Sequence, residues 1–169
     1  MVLLSDPSRK KTIRTRSGTR EIPCEDVPAS TIEKLQIDAQ VFQSQIPDLI
    51  LRSVDPYPYN CVGMIFASRR AWIEIDYIYE LLRADNYKLV PRERVIAGDL
   101  VLYKNQRDEP SHIGLIIAVD QLGASQNIKV ISKWGLDAEF IHFIDKVNSN
   151  LGKPTEFYTD REHHAHIPI

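Results

Sequence analysis

Cys61 and His112 are the residues whose types and spacing can do chemistry together, a thiol and an imidazole 51 positions apart. Cys61 follows Asn60, a good cap for a helix amino end, and precedes the apolar run Val62-Gly63-Met64-Ile65-Phe66-Ala67. A cysteine in that place is either a small core side chain or a nucleophile whose thiolate the helix terminus favours. To act as a nucleophile it needs an imidazole brought in from elsewhere in the fold. Of the five histidines, His112 and His142 fall in the strand-rich half of the chain. His112 opens the run Ile113-Gly114-Leu115-Ile116-Ile117 after a polar stretch over 104–111, a place from which a ring at a strand mouth can reach a helix end.

The elements that must position this pair are written in two grammars. Ser30 and Glu33 make a capping-box pattern, and Ile32, Leu35, Ala39, Phe42 and Ile46 recur at helical spacing, so the sequence predicts an amphipathic helix ended by Pro47. Ile46 to Val54 adds an apolar cluster, and Asp55-Pro56-Tyr57-Pro58-Tyr59 is a stiff loop feeding a buried helix over Cys61 to Ser68. Gly63 costs that helix about 1 kcal/mol against alanine, a cost that close approach of another backbone or of a substrate explains. Ile75, Ile78, Tyr79 and Leu82 mark a further helix ended at Asp85-Asn86. From Lys88 onwards short β-rich runs follow one another: 88–90, 100–103, 113–119, 128–132, 140–144 and 156–158. The expected fold class is α+β, N-terminal helices packed on a C-terminal antiparallel β-meander.

Three blocks of this sequence, in order, resemble those of the NlpC/P60 superfamily of papain-like cysteine hydrolases. They are Tyr59 to Ala67 around the cysteine, Ala97-Gly98-Asp99-Leu100-Val101-Leu102-Tyr103 as a Gly-Asp-Leu turn into a strand, and His112-Ile113-Gly114-Leu115-Ile116. The resemblance runs from Tyr59 to about Gly135. It implies a papain-like fold of NlpC/P60 type, Cys61 as nucleophile and His112 as general base and acid. It further implies a thioester acyl-enzyme formed from an amide, peptide or ester substrate and resolved by water or another acceptor. Asp99 is read as part of the turn. Such enzymes carry a His, Asn or Gln on the strand after the histidine; here that strand reads Lys129-Val130-Ile131-Ser132-Lys133-Trp134-Gly135, with Ser132 at about the equivalent place. His142, one strand later, is the runner-up, and Lys133 would repel an imidazolium. The family's Asp-Cys-Ser-Gly is replaced by Asn60-Cys61-Val62-Gly63, which removes a hydroxyl beside the nucleophile and points to a divergent branch. Tyr59 and Trp134 are candidates for a substrate-lining role, and both also suit core packing. The same residues leave two alternatives open: a catalytically inactive papain-like domain serving as a binding or interaction module, and an effector toxin with the same chemistry.

Bulk properties bound the rest. The chain has 169 residues, 43% hydrophobic and 26% charged, which fits a single ordinary domain. The net charge of −2 gives no whole-domain argument for nucleic acid or an anionic membrane as partner. No apolar run approaches the roughly 20 residues of a membrane-spanning helix. Met1-Val2-Leu3-Leu4 puts its apolar residues ahead of the charges, the reverse of a secretory signal, so the expected location is cytoplasmic, with export by a specialised route left open. Cys24 and Cys61 do not make a disulfide framework. No cofactor is required by thiol–imidazole chemistry, and the tail His163-His164-Ala165-His166 lacks a companion cluster for a metal. The expected organisation is a partly disordered basic arm and connector over 1–28, with Arg9, Lys10, Lys11, Arg14, Arg16 and Arg20, then one domain over 29–160, then a polar tail over 161–169.

Overall fold

Regular structure begins earlier in the chain than the basic composition suggests. The computed structural model describes residues 11–122 and 125–161; Arg9, Lys10 and the tail histidines His163, His164 and His166 lie outside the described residues. Within the expected arm, β1 (Thr12–Arg14) and β2 (Glu21–Pro23) pair antiparallel. Gly18 takes φ +71° in the connecting turn, and Arg14 bonds Glu21 across the pair at 3.0 Å. Ile22 is buried against the residues that surround Cys61, so this segment belongs to the folded body. A three-residue alternation of charged and apolar side chains is enough for a hairpin that has a core to rest on, and composition alone hides it.

α1 (Ile32–Gln45) starts one residue later than the capping-box pattern placed it: Thr31, not Ser30, accepts the Lys34 N–H at 3.2 Å. Leu35 and Ala39 are its buried positions. The apolar cluster that follows forms a strand, β3 (Ile50–Ser53), and the stiff loop leads into α2 (Cys61–Phe66). A 3₁₀ turn over Ile75–Tyr77 runs into α3 (Ile78–Ala84), which ends where Asn86 takes φ +62°.

The strands are β4 (Lys88–Leu89), β5 (Leu100–Lys104), β6 (Pro110–Leu122), β7 (Ser125–Lys133), β8 (Glu139–Phe143) and β9 (Lys153–Thr159). With β3 they make a seven-stranded antiparallel sheet in the order β3-β8-β7-β6-β5-β9-β4. The fold class is α+β, and β5 to β8 are the expected meander. β9, expected at the end of that run, lies instead between β5 and β4, and β3 joins beside β8, because long-range pairing is invisible to local alternation.

At the turn into β5, Gly98 takes φ +99° and its N–H reaches the Ile116 carbonyl at 2.8 Å. The buried Asp99 carboxylate accepts the Ile96 N–H at 2.8 Å and pairs with Arg161, a structural use of the Gly-Asp turn. Register then sets which residue faces where. Tyr103 lies opposite His112 and Leu102 opposite Ile113. Leu100, Leu102 and Ile113 turn to one face of the sheet, where Cys61, Val62, Ile73, Ile78, Leu81 and Leu82 pack. Val101, Tyr103, Ile116 and Val130 turn to the other. Beside them Trp134 and Phe140 are covered by Ala39 of α1 and by Leu49. Fully burying one such side chain is worth about 1.5–3 kcal/mol. No helix among the described residues is long and apolar enough to cross a membrane.

Candidate active site

The cysteine stands at the start of a short, firmly fixed helix. Asn60 caps it, its Oδ1 accepting the Gly63 N–H at 2.9 Å, while its Nδ2 donates to the Ile73 carbonyl at 2.6 Å. Gly63 is where the chain passes close to itself: a Cβ there would lie 1.7 Å from the Ala71 carbonyl oxygen. Of the two explanations left open for this glycine, backbone approach is the one realised. Cys61 is 6% exposed. Burial pushes its thiol up to about 11, against the pull of the Ile113, Val62 and Cys61 backbone amides. The thiol is therefore protonated at neutral pH, and the thiolate that a helix terminus would favour is not the resting form. Desolvation wins because α2 has only six residues and a correspondingly weak terminus.

Cys61 packs in one core cluster with Ile113, the residue after His112 in β6, and the Ile113 amide pulls the thiol's pKa down. The sulfur approaches from the Ile113 face. The His112 ring lies with Tyr103, centroids 5.4 Å apart, on the other face. No hydrogen bond joins the thiol and the imidazole among the described residues. His112 is 1% exposed, and burial, followed by the neighbouring His142, brings its pKa down to about 3, so the ring is neutral. Its Nε2 is buried without a hydrogen-bond partner among the described residues.

Ser132 does not supply that partner. Trp134 Nε1 donates to Ser132 Oγ at 3.1 Å, and Ser132 Oγ lies 2.9 Å from His142 Nε2. His142 Nδ1 is 3.0 Å from the Phe143 carbonyl, which can only accept, so the proton sits on Nδ1 and Nε2 accepts from the serine hydroxyl. The chain Trp134→Ser132→His142→Phe143 is satisfied at every link, and burial holds His142 neutral too. The expectation of Ser132 as orienter of His112 is thus corrected: its hydroxyl proton is committed to His142. Trp134 is corrected likewise. It is 2% exposed and packs on Phe42, Phe140 and His142, so it walls the core and not a groove.

Tyr59 is also buried, 1% exposed, and its role is a hydrogen bond from its hydroxyl to Glu139 at 2.8 Å. Glu139 was not singled out from the sequence. Its carboxylate is fully buried and additionally receives Arg69 Nε at 2.6 Å and Arg52 NH1 at 3.1 Å. Lys133, opposite Glu139 in the β7–β8 register, is 1% exposed and holds its ammonium 4.6 Å from the centroid of the Tyr59 ring. The signal was in the alternation: Lys133 and Glu139 occupy inward positions at the adjoining ends of β7 and β8. Cys24 and Cys61 are both free thiols.

No family model matches the chain, and no curated protein or solved structure matches it either.

Proposed function

We propose that this protein is a cysteine-dependent hydrolase or acyltransferase of papain-like NlpC/P60 type, acting on an amide, peptide or ester bond with Cys61 as nucleophile and His112 as proton carrier. The observation that carries this reading is the buried, unpartnered Nε2 of His112, one residue from Ile113, which packs with Cys61. An unsatisfied buried nitrogen costs about 1–3 kcal/mol, and packing gives no reason to keep it. A ring that must gain and lose a proton during turnover does.

The resting pair is a neutral thiol and a neutral imidazole on opposite faces of β6, so the reaction requires a rearrangement that turns the His112 ring to the Cys61 side. In the reaction the Cys61 S–H proton passes to the His112 ring as sulfur bonds the carbonyl carbon. Backbone N–H groups at the start of α2 receive the oxyanion. Collapse breaks the bond to the leaving amine or alcohol, which takes the proton from His112. Water, or an acceptor amine or alcohol, then attacks the thioester, gives its proton to His112, and the sulfur leaves as the thiol.

The test compares alkylation of Cys61 with that of Cys24 across pH, followed by mass spectrometry. Cys61 is expected to label with a His112-dependent pH profile, and Cys61→Ala and His112→Ala each to abolish hydrolysis of a peptide or ester panel. Cys61 inert to every electrophile in the folded protein sinks the proposal. That outcome favours a second reading, an inactive papain-like binding module, to which the 6% exposure and raised pKa of Cys61 already lend support.

A further inference from the structure

We infer that Arg52, Arg69 and Lys133, gathered around Glu139, form a binding site for the carboxylate or phosphate group of a ligand. As a determinant of substrate it rests on the proposed thiol chemistry; as an anion site it does not.

Two guanidiniums share one carboxylate here, and Lys133, opposite it in register, adds an ammonium. Glu139 Oε1 accepts the Tyr59 hydroxyl at 2.8 Å and Arg69 Nε at 2.6 Å, and Oε2 accepts Arg69 NH2 at 3.2 Å. Arg52 NH1 comes to Oε2 at 3.1 Å. Each guanidinium has five N–H donors, and neither has another acidic partner among the described residues, so most of their donors are unspent. The Arg52 and Arg69 side chains are 43% and 38% exposed, open to a ligand from solvent. Lys133 is the telling member. Its ammonium is in a side chain 1% exposed, yet no hydrogen bond or ion pair reaches it among the described residues, only the face of the Tyr59 ring. Burial lowers its pKa, opposed by Glu139, Asp55 and Asp137 from a distance. Asp55 is occupied in accepting the Tyr57 N–H at 2.9 Å, and Asp137 feels Asp38 and Lys34 as well as Lys133.

Converging like charges beside an ammonium that no hydrogen bond or ion pair reaches among the described residues is an arrangement that an incoming anion relieves. The chain also accepts strain to build it. Ser68 and Arg69 take φ +49° and +65°, successive left-handed non-glycine residues that cost about 1 kcal/mol or more each. That turn brings Arg69 back to Glu139. Tyr59 enters α2 and Arg69 leaves it, so the carboxylate pins both ends of the segment that carries the thiol, and a bound anion would be held against it.

The experiment sets iodoacetate against iodoacetamide at Cys61, with Cys24 as control in the same chain. The expected ratio of rates favours the anionic reagent at Cys61 by about tenfold over Cys24, and drops to the Cys24 value in Arg52→Gln and Arg69→Gln. A ratio at Cys61 equal to that at Cys24, or unchanged in both variants, overturns the inference while leaving the thiol chemistry intact. Should Cys61 take neither reagent, the thiol reading fails and calorimetric titration decides the anion site alone. Saturable binding of N-acetylglycine or inorganic phosphate, lost in Arg52→Gln, upholds it and shows which anion source is preferred. No saturable binding of either overturns it.

Discussion

The two faces of the central sheet treat buried polar groups in opposite ways. On the face that carries Cys61, charge is retained: Glu139 is fully buried and ionic, with Arg52 and Arg69 as salt-bridge partners and Lys133 beside it. On the face that carries His112, charge is suppressed. His112 and His142 are both held neutral by burial, one without a partner on Nε2 and one at the end of a satisfied hydrogen-bond chain. The difference teaches how the two faces of one sheet can hold both chemistries. A buried carboxylate is held by the donors that converge on it, whereas a buried imidazole has a neutral form that needs no counter-charge.

Glu139→Ala tests the charged face most severely. It removes the acceptor of the buried Tyr59 hydroxyl, the shared partner of two guanidiniums and an opposing charge acting on Lys133, and should lower the unfolding free energy by about 3–5 kcal/mol in a denaturant titration. A loss below about 1 kcal/mol would mean the cluster is a solvated surface feature. Gly63→Ala tests how rigidly that face holds the nucleophile's helix. Its new Cβ meets the Ala71 backbone, which cannot swing away, so a loss of about 2–3 kcal/mol is expected together with altered Cys61 labelling. On the neutral face, Ser132→Ala cuts the chain between Trp134 and His142 and leaves His142 Nε2 unsatisfied, for a loss of about 1–2 kcal/mol.

The smallest effect on stability is also the sharpest test of the unpartnered ring. His112→Phe removes a buried unsatisfied nitrogen and should change stability at pH 7 by no more than about 1 kcal/mol, in either direction, while abolishing activity. The wild-type protein has a pH signature as well. His112 has a folded pKa of about 3 against an ordinary 6.5, so the unfolded chain binds the proton first. Its contribution is fully present above pH 6.5 and is lost as pH falls from 6.5 towards 3, with a limiting slope of about 1.4 kcal/mol for each step of one in pH. His142, whose pKa burial also lowers, adds to that limb. In His112→Phe the acid limb should flatten; an unchanged limb would show that His112 is not the neutral buried group described.

Local signals carried much of the fold. Asn60 followed by an apolar run gave α2 its start, the spacing of Leu35 and Ala39 gave α1 its buried stripe, and the β-rich runs gave β5 to β8. What escaped was non-local. The β1–β2 hairpin hides in a basic stretch and forms because Ile22 finds the core around Cys61. β3 is recognisable only through its pairing with β8. For the site, Cys61 and His112 could be named from residue type and order, but partners could not. Ser132 bonds His142 because both point to the same face of adjacent strands, and Tyr59 reaches Glu139, 80 positions away.

The sequence by itself therefore determined the α+β class, the capped helix that presents Cys61, the Gly-Asp turn into β5 and a strand around His112, which starts at Pro110 and so holds His112 inside it rather than at its mouth. Those features depend on neighbours within a few residues, where spacing and capping chemistry act directly. Only the tertiary structure decided the protonation of the pair and the neighbours of Lys133 and Glu139. Desolvation and ion pairing depend on what the whole chain packs around a group, and on which face of a strand the register turns it to.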